Sequence, residues 1–206
     1  MNPRPATTVG LYRRGGKRLF DAVGAGVGLL LVGLPLGVLS LLVWISTGPP
    51  VFFTQDRVGR GGRLFRVWKF RTMAVRPPGD SPVTVAGDAR LTPVGGFLRR
   101  WKLDELPQLA NVLVGEMSLV GPRPDVPGYA DRLQGPERRI LELRPGLTGP
   151  ASLAYRHEEE ILAQVPDPVR YNDEVIWPDK VRLNLKYLED CSLRTDLRII
   201  WRTIFR

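Results

Sequence analysis

Histidine and cysteine are almost absent from this chain: His157 and Cys191 are the single examples in 206 residues. A lone cysteine excludes an internal disulfide framework and a thiolate metal site, and it suits a reducing compartment. A lone histidine leaves any histidine metal site or Ser-His-Asp triad resting on His157, and no G-x-S-x-G motif accompanies it. Carboxylates are therefore the better candidates for catalysis. Acidic charge is also scarce, with 21 Asp and Glu against 30 Lys and Arg for a net charge of +9. That excess points to an anionic partner: nucleic acid, acidic lipid headgroups or phosphorylated substrates. No internal repeat or low-complexity segment is present, and the length suits a single domain over 1–206.

The largest absence is local. Between Asp21 and Asp56 there is no charged side chain. The core of this gap, Ala22 to Ile45, is wholly apolar apart from Ser40. As a helix it would run about 36 Å, enough to cross the hydrocarbon of a bilayer. Arg13, Arg14, Lys17 and Arg18 precede it, and Arg57, Arg60, Arg63, Arg66, Lys69 and Arg71 follow. Short Lys/Arg-rich flanks stay on the cytoplasmic side, so a straight span would strand one cluster. Leu34-Pro35, loosened by Gly33 and Gly37, offers a bend. A helix over 16–47 that enters, bends there and leaves on the same face satisfies both flanks. A straight span and a buried core helix are the alternatives. The apolar stretch is too long for a cleaved signal peptide.

Along the rest of the chain, 1–15 reads as a basic arm and Gly48-Pro49-Pro50 as a helix stop. Val51 to Phe53 and Arg63 to Phe70 read as a β-hairpin turned at Gly59, Gly61 and Gly62. Residues 74–93 read as a loop. Helices are expected near Val94–Trp101, Asp104–Val114 and Tyr129–Leu143, with loops at Gly121–Pro124 and Arg144–Pro150. A last helix is expected over Lys180–Phe205. In it Arg194, Arg198, Arg202 and Arg206 form one stripe and Leu193, Leu197, Ile200 and Ile204 another, with Trp201 and Phe205 adjoining. That pattern suits an anionic membrane surface, or equally a surface helix packed on the core.

Asp104 and Glu105 are the most telling polar pair. Pro107 follows, so Asp104 is expected at a helix start, where the dipole favours anions. An ionised aspartate can attack phosphorus, and a neighbouring glutamate can hold Mg²⁺ with positions left for diphosphate oxygens. A capping aspartate followed by a first-turn glutamate is the plainer reading. Arg123, fixed between Pro122 and Pro124, suits a phosphate, or a structural turn. Arg144 and Arg99 carry the same ambiguity.

In order, the chain reads Lys17-Arg18-Leu19-Phe20-Asp21, Phe53-Thr54-Gln55, Arg57-Val58-Gly59 and Lys69-Phe70-Arg71-Thr72-Met73. Then come Leu103-Asp104-Glu105-Leu106-Pro107-Gln108, Asn111-Val112, Gly115 to Pro124 (GEMSLVGPRP) and Arg144 to Gly149 (RPGLTG). This series, from Lys17 to Thr203, resembles the bacterial sugar transferase family of monotopic polyprenyl-phosphate phosphoglycosyl transferases, in its minimal catalytic form. The resemblance implies transfer of a sugar phosphate from a UDP-sugar to polyprenyl phosphate, commonly undecaprenyl phosphate, with release of UMP. It implies Asp104 as nucleophile, Glu105 as a Mg²⁺ ligand, and Arg99 and Arg123 on phosphates with Lys69, Arg71 and Arg144 nearby. The implied fold is α+β and mostly helical. It combines a re-entrant membrane helix-hairpin, a small cytoplasmic catalytic part over 48–206 with a short β-hairpin, and amphipathic interfacial helices. The implied location is the bacterial inner membrane, with membrane lipids as partners and a homodimer as a possible assembly. Three places depart from the family pattern. Leu34 stands where Ser is frequent, Asn184 where Asp is frequent, and the segment after Gly149 (PASLAYR) differs.

Two other readings fit the composition. A membrane-anchored nucleic-acid binder would use the basic excess, but no aromatic stacking platform is interleaved with it, so no nucleic acid is expected. A non-enzymatic membrane scaffold would tolerate loss of Asp104 and Arg123.

Overall fold

The computed structural model describes residues 12–73 and 91–205. Residues 74–90 of the loop expected at 74–93 and most of the N-terminal arm lie outside these residues, as does Arg206, while Pro93 opens a helix. A π-helical turn, Tyr12–Gly16, leads into helix α1, Lys17–Thr47. α1 continues through Pro35 and is the one helix among the described residues long and apolar enough to cross a membrane. It ends at Gly48, whose φ of 66° a side chain would resist.

One stripe of α1 packs on the rest of the molecule. Ala25, Leu29 and Val32 meet Val67, Leu109, Val112 and Met117. Leu36, Leu39 and Val43 meet Phe70, Leu98, Val94 and Leu103. Alternate steps of four and three residues keep these six on one helix face. The remaining faces, including Leu30, Leu31, Leu34, Pro35 and Val38, are exposed, Leu34 to 82%. The buried-core-helix alternative therefore fails.

Strands β1, Phe52–Val58, and β2, Leu64–Phe70, form the expected antiparallel hairpin, in register Phe52↔Phe70 to Val58↔Leu64. β1 is longer than expected because Thr54 to Val58 continue the pairing. Helix α2, Pro93–Arg100, is capped by Thr92, whose hydroxyl accepts from Gly95 N. A 3₁₀ turn, Leu103–Glu105, and helix α3, Gln108–Val114, replace the single helix expected over Asp104–Val114. Pro107 caps α3, so Asp104 lies a turn ahead of the helix rather than at its start.

Strands β3, Ser118–Val120, and β4, Gly146–Thr148, pair in parallel, β3 just ahead of the loop expected at Gly121–Pro124 and β4 within the one expected at Arg144–Pro150. The pairing needs glycine at its crossing: a Cβ on Gly121 would overlap Arg144 O, and one on Gly146 would overlap Gly121 N. The helix expected over Tyr129–Leu143 is two 3₁₀ segments, Ala130–Arg132 and Gly135–Glu142. Extended Leu133 and Gln134 separate them, and Pro136 stands in the first turn of the second.

Short helices α4, Pro150–Ala154, α5, Glu158–Leu162, and α6, Pro168–Tyr171, precede α7, Trp177–Asp190, and α8, Leu193–Ile204. The single terminal helix expected over Lys180–Phe205 is thus broken. Cys191 leaves helical geometry and extended Ser192 caps α8, its hydroxyl accepting from Thr195 N at 3.3 Å. The break turns Asp196 and Ile199 inward. Leu193, Leu197, Trp201, Ile204 and Phe205 face outward beside exposed Arg194, Arg198 and Arg202.

Candidate active site

Asp104 and Glu105 share the 3₁₀ turn between α2 and α3. Leu103 anchors that turn in the same apolar cluster as Val43, Phe70 and Leu98. Lys102 enters it with φ 54°, the one positive φ outside glycine among the described residues. Such a conformation persists where the surrounding packing imposes it.

Two cations converge on one carboxylate oxygen. Lys69 Nζ from β2 lies 2.8 Å from Glu105 Oε1, and Arg123 Nη2 lies 3.0 Å from the same atom. Burial raises the Glu105 carboxyl, but Arg123 and Lys69 outweigh it and leave the group pushed down to about 2. Asp104 moves the other way. Burial and the Glu105 charge raise it above the usual carboxylate range, against the pull of Lys69 and Arg99. The neighbouring carboxyls are thus held apart in acidity, Glu105 as a firm anion and Asp104 as the more basic oxygen pair.

Beside them opens a shallow cleft. Its walls include Arg57, Lys69, Glu105, Gln108, Arg123 and Leu147. Asp104 stands next to this lining rather than in it. A second shallow recess shares Arg123 and is otherwise mostly apolar, with Asp125 in its lining. Burial raises the Asp125 carboxyl to about 6, with Lys180, Arg57 and Arg123 opposing the rise.

The sequence candidates divide. Lys69, Glu105 and Arg123 meet in the cleft. Arg99 donates Nε to Thr72 Oγ1 at 2.9 Å, and its charge reaches Asp104. Arg71 instead clasps the C-terminal end of α1, donating Nη2 to Thr47 O, and its backbone N–H bonds Val51 O at 2.9 Å. Arg144 donates Nε to Gly115 O at 2.8 Å, closing the end of α3. Neither lines the cleft, because each is drawn to a helix-terminal carbonyl that would otherwise lack a partner. Leu34 and Pro35 lie on the exposed part of α1. His157 pairs with Glu160 at the surface, and Cys191 is buried.

Sequence reasoning missed Arg57, Gln108 and Asp125. Arg57 was legible as part of Arg57-Val58-Gly59 but read as flanking charge. Asp125 follows Arg123-Pro124 directly, and only the folded loop shows it turned toward the recess.

No group of three or more metal-ligating side chains occurs among the described residues. Mg²⁺ needs fewer: one or two carboxylates, with water and ligand phosphates filling its other positions. Glu105 Oε1 is taken by Lys69 and Arg123, while Oε2 joins neither pair. Glu105 Oε2 is thus the carboxylate oxygen left for such an ion.

The model of the family described as bacterial sugar transferase matches residues 12–206. A protein of Escherichia coli (strain K12) named UDP-glucose:undecaprenyl-phosphate glucose-1-phosphate transferase is 37% identical over 200 residues, covering 92% of this chain and 39% of that protein. A protein of the same name from Caulobacter vibrioides is 36% identical over 208 residues, 98% of this chain and 72% of its own. Exopolysaccharide production protein ExoY of Rhizobium meliloti is 34% identical over 206 residues, with 91% and 83% covered. This chain spans well under half of the E. coli relative. The motifs in order, the paired carboxylates beside a cationic cleft and these matches agree: the chain belongs to the bacterial sugar transferase family.

Proposed function

We propose that this chain transfers a sugar phosphate from a UDP-sugar to undecaprenyl phosphate, releasing UMP. The observation that carries the reading is the Asp104–Glu105 pair, with Lys69 and Arg123 fixed on Glu105 beside a cleft of matching charge. The names of the E. coli and Caulobacter relatives, which specify UDP-glucose and undecaprenyl phosphate, support the choice of substrates.

In this reading the Asp104 carboxylate attacks the phosphorus that bears the sugar. The bridging P–O bond breaks, and UMP leaves with its electron pair. A phosphate oxygen of the lipid then attacks the same phosphorus, and Asp104 departs as a carboxylate. The product is polyprenyl-diphosphate-sugar. Arg123, Lys69 and Arg99 offset charge that would repel an anionic nucleophile. Mg²⁺ on Glu105 would supply further neutralisation of the diphosphate.

The lipid acceptor does not leave the bilayer, so the site must ride at its surface. Two features support that seating. α1 exposes an apolar face while both its ends are tied to the same body, by Lys17 and Arg18 at one end and Arg71 at the other. This favours a re-entrant helix bent at Leu34-Pro35, with 48–206 on the cytoplasmic side of the inner membrane. α8 adds an outward apolar row flanked by arginines, suited to anionic headgroups.

The direct test is a panel of UDP-sugars incubated with undecaprenyl phosphate, Mg²⁺ and purified chain, scored by UMP release. One donor should be turned over. Folded protein that releases UMP from none of them would remove the reading. Cysteines placed at Gly15 and Arg60 should react with an impermeant label from the same side of a vesicle; opposite sides would remove the re-entrant geometry.

A further inference from the structure

Arg57 is the one wall of the cleft whose charge the reaction above does not use. It is the penultimate residue of β1, and its guanidinium is half-buried beside Arg123 and Lys69. Two of its nitrogens are engaged: Nη1 donates to Pro124 O at 3.2 Å and Nη2 to Gln55 Oε1 at 2.7 Å. Nε is buried with no hydrogen-bond partner. Burial lowers the Arg57 pKa, and the Arg123 charge lowers it further, against partial relief from Asp125 and Glu105. A guanidinium stays charged regardless. Two like charges are therefore held close while Glu105 is already divided between Lys69 and Arg123. An edge with an unmet N–H beside excess positive charge matches a phosphate oxygen pair.

We propose that Arg57 binds the diphosphate of the donor directly, presenting its Nε edge as a third cation of the cleft. The choice of a diphosphate rests on the transferase reading. The competing role is purely mechanical: Arg57 grips Pro124 O and so holds Arg123 in place. The two roles separate in a double-mutant cycle.

The experiment uses the full chain in nanodiscs and UDP as the probe, with affinity measured by calorimetry. Arg57→Gln should weaken UDP binding by about tenfold and raise donor KM more than it lowers kcat. Arg57→Lys should recover only part of the loss, because an ammonium does not reproduce a guanidinium edge. Combined with Arg123→Gln, the Arg57→Gln loss should largely persist. An Arg57→Gln protein that binds UDP within twofold of wild type would overturn the proposal. So would a double variant no weaker than Arg123→Gln alone, which would leave only the mechanical role. Should Arg57→Gln fail to fold, Arg57→Lys decides, since unchanged UDP affinity there rules out the edge contact. A wild type that binds UDP yet releases no UMP would remove the transferase reading without touching the contact.

Discussion

Lys17 Nζ lies 2.8 Å from Asp196 Oδ2, joining the first turn of α1 to the last helix of the chain. The same nitrogen lies 2.9 Å from Asp21 Oδ1, which also accepts from Leu119 N at 3.1 Å. Asp196 further accepts from Tyr12 OH at 2.7 Å and Tyr187 OH at 2.5 Å. Both aspartates are fully buried. Removing one partner leaves buried charge uncompensated, a loss on the order of 3–5 kcal/mol. Lys17→Met should therefore lower Tm by roughly 6 °C or more in a thermal melt. A change within a degree would show that water reaches the cluster.

Asp104→Asn should abolish UMP release while the fold persists. The carboxyl is already raised by burial and by Glu105, so its removal relieves strain rather than creating it. Tm should hold or rise slightly, and single-turnover UMP release should drop by at least about a thousandfold, the scale expected for loss of a nucleophile. Wild-type turnover in this variant would eliminate the covalent route.

Acidity should read out the dyad and the recess with opposite signs. Glu105 is depressed to about 2, so its stabilising contribution is complete above its unfolded value of 4.5 and fades as pH falls through that interval. Asp125 is raised to about 6, so ionising it destabilises the fold as pH climbs from 3.8 to that value. Asp125→Asn should stabilise the chain at pH 7, by up to about 3 kcal/mol, and the gain should vanish near pH 4. Glu105→Gln should destabilise it at pH 7. Urea melts at both pH values distinguish the two.

Gly121→Ala should displace the loop that carries Arg123. The added methyl would overlap a backbone oxygen, Arg144 O, which cannot swing aside. The cost should approach the upper end of the roughly 1–3 kcal/mol seen for overpacking. UDP affinity should fall with it, while Gly33→Ala, where nothing lies within 4 Å, should leave both unchanged.

Much of the local structure was legible in the residues. Helix α1, the hairpin and α2 announce themselves through an apolar run, turn glycines and a Thr-Pro start, all short-range signals. The meeting of Lys69, Glu105 and Arg123, with Asp104 alongside, was foreshadowed by their motif order. What escaped depends on contacts between distant segments. The β3–β4 pair joins residues far apart in sequence, beside one proline-glycine loop and within another. Arg71 and Arg144 carry the same charge as Arg123, and only packing shows that helix-end carbonyls take them. The Cys191-Ser192 break interrupts a convincing helical period, because the buried charge at Lys17 draws Asp196 inward.

Leu103 packs in the cluster that α1 joins through Leu36, Leu39 and Val43, and it directly precedes Asp104. On the proposed seating at a bilayer, chemistry and anchorage would be geared together, one residue apart along the backbone. A leaflet that reshaped such an anchor, through its thickness or its crowding, would shift Asp104 as well. Turnover would then report on the lipid environment without any dedicated sensor.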